Sequence, residues 1–495
     1  MRIGGLASGI DTDNIIKELM NAERIPLNKL EQQKTKMEWQ RDAFRDVNKQ
    51  IFELERLIEN RRLNIGGSTV NPKIVSSSNE SAITASGSSS AGNGAYRISV
   101  EQLASREMHV IDLSGQDFTI PTGEFIFMTY DEASKENDFQ AGMYEKSITI
   151  EEGDTLQTIA KKISDADKNV QAFYDEKSET FVIETTRSGI HNLNENEDEI
   201  VFSGGNDDFF TQLFSAGTYE KVDAKNAKFT YNDVVELESN ENKYTLNGIT
   251  FNFHDVTKDE NVTLTVAHDT DKAVENIKEI VDKFNEVVET LNDLQNEPVY
   301  RDFPPLTKEQ MEEMSEKEIE LWEEKAKSGL LRRDPILSSS LTNYRSIWSS
   351  SMSEAGPISL LADIGITTTE NYLDGGKLEI DEEKLRKQLE ENGENVNSLL
   401  FGTGEGTSRG LFTRLEDSLQ NTINQIDKRA GKGSSTSQSY TMGRQLESIE
   451  DRIKAFEDRL KQVEDRYWRQ FTAMERAISM MNNQSAMLMS FGGNM

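Results

Sequence analysis

Leu446, Ile453, Leu460, Tyr467, Met474, Met481 and Leu488 stand seven residues apart near the end of the chain, and Ile449, Phe456, Val463, Gln470, Ala477, Gln484 and Phe491 form a companion register. Spacings of three and four that alternate over such a length put a narrow apolar seam on a long helix, and a seam of that kind is buried only against another helix. The N-terminal segment carries a second seam, with Leu30, Met37, Phe44, Ile51 and Ile58 in one register and Val47 and Leu54 in the other. Its start is marked at Asp11 to Asp13, where acidic side chains can cap free N–H groups; Pro26 predicts a break or kink near Ile25, and Gln33 and Gln40 make the seam patchier. Two helical ends with seams are expected to pair with each other over the parts nearer the middle of the chain.

The last twenty or so residues call for more than that pairing. Six of the 16 methionines lie from Met474 onward, and no charged side chain follows Arg476. Met480, Met481, Met487, Leu488, Met489 and Phe491 spread apolar surface over more than one helical face, which a single partner helix cannot cover. Methionine is unbranched and polarizable, so it packs against differently shaped partners. The candidate intersubunit contacts are Leu30, Met37, Phe44 and Ile51 on the first helix. On the last they are Leu446, Ile453, Leu460, Tyr467, Met474, Met480, Met481, Met487, Leu488 and Phe491.

Between the ends the pattern changes. The Gly- and Ser-rich run "GGSTVNPKIVSSSNESAITASGSSSAGNG" marks a boundary, and "AYRISVEQLAS" then alternates Tyr96, Ile98 and Val100 as a half-buried strand does. "SITIEEGDTLQTIAKKISDADKNVQAFYDEKSETFVIETT" reads as strand, turn, helix, strand, hairpin, strand, with Asp154 as the expected helix cap and Gln157 completing a capping box. "LNGITFNF" sets an Asn-Gly turn before Ile249, Phe251 and Phe253. Val274, Ile277, Val281, Phe284, Val288 and Leu291 return to the helical period, and further helices are expected at "TKEQMEEMSEKEIELWEEKAK" and "DEEKLRKQLEEN". The order is nested: helix, β-rich middle, helix.

The chemistry of catalysis is hard to place on this chain. It has no cysteine, which removes disulfides, thiolate metal sites and cysteine nucleophiles together. His109, His191, His254 and His268 show no metal-ligand spacing and read as strand or surface residues. "RAGKGSST" lacks the first glycine and the Ser or Thr of a phosphate-binding loop, "GTGEGTSRG" has the wrong glycine spacing for a dinucleotide, and "NENEDE" lacks the glycine of a calcium loop. A net charge of -33 disfavours nucleic acid and anionic membranes as partners. The expectation is a chain with no catalytic residue, cofactor or metal, not an enzyme, and without a cleaved signal peptide, because Gly4, Gly5, Ser8, Gly9 and Asp11 interrupt any apolar run at its start.

"GGLASGIDTDNIIKELMNAERIPLNKLEQQK", "VEQLAS", "GDTLQTIAKKI", "YTLNGITFNF", "PLTKEQMEEMSEKEIELWEEKAKSGLL" and "LADIGITTTENYLDGGKLEIDEEKLRKQL", in that order and with the C-terminal coiled coil, resemble the flagellar filament cap (hook-associated protein 2) family. The resemblance implies an α+β multidomain fold: terminal helices forming a coiled-coil leg, a helical domain, and two nested β-rich domains. On this sequence the leg is expected at 1–35 and 455–495, the helical domain at 36–66 and 270–454, one β-rich domain at 67–107 and 215–269, and an outer α+β domain at 108–214. It further implies a homo-oligomeric ring, five- or six-fold with the pentamer favoured, at the distal tip of the bacterial flagellum. Its partners would be flagellin, a hook-filament junction protein and a cytoplasmic export chaperone, and the seam residues named above would make the filament contacts. Two alternatives share some of these features: another flagellar filament or hook-junction subunit, and a surface adhesin binding host glycans, since "GDTLQTIAKKI" is similar to the opening of a LysM module but lacks that module's continuation.

Overall fold

A computed structural model describes residues 11–64, 68–132, 140–193, 198–202, 204, 208–258, 260–352 and 358–492, with the side chains of 372 and 486–492 left out. The chain divides into two compact units, Met1–Ile65 with Ala273–Met495, and Gly66–Lys272. The fold is α+β and multidomain.

The first helix, α1 (Thr12–Arg62), is capped by the Asp11 carboxylate, which accepts from the Asn14 N–H at 3.0 Å. It runs unbroken through Pro26, against the expected break. Proline costs the helix one backbone bond and crowds the preceding turn. Here Met20 and Leu27, on either side of it, are buried in a seam with α10 (Thr441–Gly492), so tertiary packing overrides the local preference.

Gly66–Lys272 contains two hydrophobic cores, one nested within the other. The first is built from β1 (Lys73–Ser77), β2 (Ile83–Gly87) and β3 (Gly94–Gln102), completed after a long excursion by β11 (Ala227–Tyr231), β12 (Val235–Ser239), β13 (Lys243–Leu246), β14 (Ile249–Phe253) and β15 (Val262–His268). They form a sheet ordered β1-β15-β3-β11-β12 and a second ordered β13-β14-β2, all pairs antiparallel. Ile98, Val100, Phe229, Ile249, Phe251 and Leu264 fill the space between them. Asn247 (φ 49°) and Gly248 (φ 78°) make the Asn-Gly turn between β13 and β14, a left-handed pair that suits a two-residue hairpin.

The excursion between β3 and β11 folds around the second core. Its strands are β4 (Met108–Asp112), β5 (Gly123–Asp131), β6 (Gly142–Ile150), β7 (Val170–Asp175), β8 (Thr180–Thr185), β9 (Ile200–Phe202) and β10 (Thr218–Val222), with α2 (Leu156–Ala166) and α3 (Phe209–Ala216). The sheets are β10-β4-β8-β7 and β6-β5-β9. Phe127, Phe181, Phe209 and Phe210 pack at its centre. The cap of α2 is Thr155, whose hydroxyl accepts from the Thr158 N–H, rather than Asp154 with Gln157; Asp154 instead takes Thr158 Oγ1 at 3.0 Å and Lys162 Nζ at 2.7 Å. Asp154 and Thr155 are both good caps, and the extended backbone falls at the second.

Buried polar residues hold the second core together. The Glu107 carboxylate accepts from the N–H groups of Glu199 (2.8 Å) and Ile200 (3.1 Å) and pairs with His109 Nε2 at 2.9 Å, while His109 Nδ1 lies 2.8 Å from the Tyr219 hydroxyl. A buried charge with this many partners is tolerated. The two cores meet where Gly189 (φ 81°) passes so close to Asn240 that a Cβ there would stand 2.2 Å from its carbonyl oxygen.

The other unit is helical. After α4 (Thr270–Asn296) come α5 (Lys308–Glu312), α6 (Glu316–Lys327), α7 (Pro335–Trp348), the short β16 (Ile366–Thr368) and β17 (Leu378–Ile380), α8 (Glu382–Phe401), α9 (Leu411–Ala430) and α10. The acidic segment expected as one helix is two, because Ser315 caps α6 with a box to Glu318 and so starts a new helix. All six apolar positions read on α4 are buried.

Candidate functional site

The paired terminal helices are the candidate site, and they run antiparallel. Rising numbers on α1 meet falling numbers on its partners: Glu23 accepts from the Tyr467 hydroxyl at 3.1 Å, Lys34 pairs with Glu450 at 2.8 Å, and Arg45 Nε donates to the carbonyls of Ala430 and Gly431 at 3.1 Å. The bond to Glu450 raises the Lys34 ammonium above the ordinary lysine range. Arg45 thereby satisfies carbonyls at the end of α9, which Gly431 (φ 69°) terminates.

The two halves of the pair differ in surroundings. From Phe44 onward α1 packs on α9 and the helical core, with Phe44, Ile51, Leu54 and Ile58 fully buried. Arg62 closes this half with a bidentate pair to Glu416, at 2.8 and 3.0 Å. Toward the chain ends the apolar seam is built by the two helices alone among the described residues, with Arg24 of α1 also reaching Glu309 of α5 at 3.7 Å. Ile16, Met20 and Leu27 meet Leu460 and Val463, edged by the partly exposed Ile453, Phe456, Tyr467, Trp468 and Phe471.

The candidate contacts divide accordingly. Phe44 and Ile51 have no surface left for another subunit, because the chain's own core takes them up, and Leu446 and Leu460 are nearly as covered. Leu30, Met37, Ile453 and Tyr467 are partly exposed along the seam. Met474 is 38%, Met481 61% and Met480 64% exposed, so they offer real apolar area. The side chains of Met487, Leu488 and Phe491 lie outside the described residues.

A reading that follows only the apolar positions passes over the residues beside them. Arg452, Arg459 and Arg466 repeat at the same seven-residue step immediately before Ile453, Leu460 and Tyr467, and Glu450, Glu457 and Glu464 immediately after Ile449, Phe456 and Val463. Arg452 and Arg459 line a groove of about 580 Å³ with Lys29, Leu30, Pro26, Gln33, Ala455 and Phe456. Among the described residues no group of three or more His, Asp or Glu could hold a metal ion, and no helix is long and apolar enough to cross a membrane.

Known proteins match this architecture along its length. The model of the flagellar hook-associated protein 2 N-terminus matches residues 8–107 and that of its C-terminus residues 224–483, so the segment left between them lies almost wholly in the second, inserted core. The flagellar hook-associated protein 2 of Halalkalibacterium halodurans is 36% identical over 99% of both chains. That of Salmonella typhimurium is 29% identical over 69% of this chain and 67% of its own. The D1-D2-D3 domains of the Escherichia coli flagellar cap protein FliD superpose with a TM-score of 0.54 at 20% identity, covering 82% of this chain and 99% of that one, a likeness of fold. With helical ends that pair with each other, nested β cores between them in chain order, and a relative similar from end to end, the chain belongs to the flagellar hook-associated protein 2 family.

Proposed function

We propose that this chain is the structural subunit of a flagellar filament cap, a homo-oligomer at the distal tip that promotes flagellin polymerisation and filament elongation. The observation that carries the reading is similarity to a flagellar hook-associated protein 2 over 99% of the chain. It acts by binding and positioning protein subunits, without a catalytic step. We read the oligomer as a pentameric ring, exported through the flagellar apparatus with the help of a cytoplasmic chaperone, and seated after the hook-filament junction protein is in place.

The docking surface in this reading is the far end of α10. Met480 and Met481 hold apolar area free in the single chain, and each such side chain contributes on the order of 1.5 to 3 kcal/mol when covered. A few of them hold a cap in place while still letting it shift as subunits arrive, and methionine adapts to sites that differ around a ring. The test is expression in a cap-deleted flagellated bacterium of matching flagellin. Restored filaments support the reading; flagellin lost to the medium, with the chain exported and folded, refutes it for that pairing.

A further inference from the structure

The heptad of α10 has an unequal pair of borders. With Ile453, Leu460 and Tyr467 at the a positions and Ile449, Phe456 and Val463 at d, the g positions are Arg452, Arg459 and Arg466, and the e positions are Glu450, Glu457 and Glu464. All six are exposed. In an antiparallel pair of helices g faces g′, and of the four α1 residues that line the groove with Arg452 and Arg459 the charged one is Lys29. The chain therefore sets like charges against each other along this border, which destabilises a helix pair rather than supporting it. Among the described residues no carboxylate pairs with Lys29, Arg452, Arg459 or Arg466; Arg459 and Arg466 rest over the rings of Phe456 and Tyr467. The acidic residues next to these arginines in sequence, Asp451, Asp458 and Asp465, occupy the f positions on the outer face, where Asp458 pairs with Lys461.

We propose that the arginine border of α10 docks on the glutamate border of α10 in a second copy of this chain. In a ring with a rotation axis along the helices, neighbouring α10 helices run parallel, and in a parallel pair g meets e′. With g opposite the e′ five residues further on, Arg452 then faces Glu457 and Arg459 faces Glu464 of the next copy, one heptad apart. The contact is head-to-tail: each chain offers one border of each sign, so the same pairing repeats around the ring and leaves no charged border over. Leu30, Phe456 and Ala455 at the floor of the groove supply apolar area beneath the ion pairs. This rests on the reading of the chain as a homo-oligomeric cap and says which surfaces join its helical ends.

The test is charge reversal with rescue on the full chain. Glu450 is left alone because it already pairs with Lys34. Arg452→Glu with Arg459→Glu makes one variant, Glu457→Lys with Glu464→Lys a second, and all four changes a third. The particle mass is followed by sedimentation and light scattering, with filament growth in the cap-deleted bacterium as a separate readout. Each reversed pair alone is expected to weaken assembly at least tenfold. The fourfold variant should regain the wild-type mass, a rescue that also shows the chain to be folded. Either reversed chain assembling as the wild type does overturns the inference, as does failure of the fourfold rescue, or a wild-type chain that stays monomeric at its highest soluble concentration. Filament growth lost with particle mass unchanged assigns the arginine border to flagellin and overturns it too. Wild-type failure to support filaments, whatever the mass, counts against the cap reading instead.

Discussion

Phe44 on α1 and Met481 on α10 occupy equivalent steps of the two apolar repeats, yet one is fully buried and the other 61% exposed. Both lie in long helices with the same periodicity, so the repeat itself cannot account for the difference. What differs is the number of neighbours. Around Phe44 a third helix, α9, closes the space, and Arg429 lies over the ring at 5.0 Å. At Met481 no element of the described chain closes the seam. A heptad specifies that a face will be covered; how completely depends on how many elements surround it, and where no described element lies over it the face is open to other molecules.

The comparison is broken most directly by deleting volume at each place. Phe44→Ala should cost about 3 to 5 kcal/mol in denaturant unfolding, because a cavity closed by three helices relaxes little. Leu460→Ala, in the two-helix stretch with Ile16, Met20 and Leu27, should cost roughly 2 kcal/mol, since two helices can close partly over a loss. Equal costs at the two sites would mean that the outer stretch is packed as firmly as the inner one, and the distinction would fall.

How far the sequence disclosed this depends on the kind of signal. The seams, α4 and the Asn-Gly hairpin were legible because a period or a turn residue is local information. The expected break at Pro26 was not seen, because Met20 and Leu27 hold the flanking turns from outside. The division of α5 from α6 turns on a single serine. The second core was readable as strand, helix and strands around residues 147–186, but its Glu107–His109–Tyr219 set joins residues more than a hundred positions apart and has no pattern to follow. At the candidate site the apolar contacts were read without regard to depth, which is why Phe44 and Ile51 stood beside Met480 and Met481. The arginine and glutamate borders have a period as clear as the seam's, but charges on a helix are so common that only the arginines' lack of carboxylate partners among the described residues makes them notable.

Burial also has a cost on the inner side, which offers a smaller and pH-dependent test. Glu55 lies in the same buried stretch of α1, and its Oε2 has no hydrogen-bond partner among the described residues. Burial, with Glu59 and Glu416 adding to it, raises its carboxyl above the model-peptide value of 4.5. A raised acid favours the folded state while protonated, so its contribution is fully present below that value and is lost as pH rises through the higher folded one. Glu55→Gln should therefore raise stability by about 1 kcal/mol at neutral pH, with the two proteins converging toward pH 4.5 in melting temperature. A gain that persists unchanged into acid would show that the charge is not its cause.

The smallest effect on stability should come from the outermost residues, and there the comparison is sharpest. Met480→Asp with Met481→Asp changes two side chains that are 64% and 61% exposed, so unfolding free energy should move by less than about 0.5 kcal/mol. Filament growth in the cap-deleted bacterium should nevertheless fail, because a carboxylate covered by a protein partner without a counter-charge loses more than the apolar contact it replaces. Position and function are separated by this pair of readouts. A variant that unfolds early would show that these methionines belong to the chain's own fold, as Phe44 does. A stable variant that still builds filaments would move the docking surface off this turn of α10. Only unchanged folding with lost growth fits a helix that is structural at one end and a contact surface at the other.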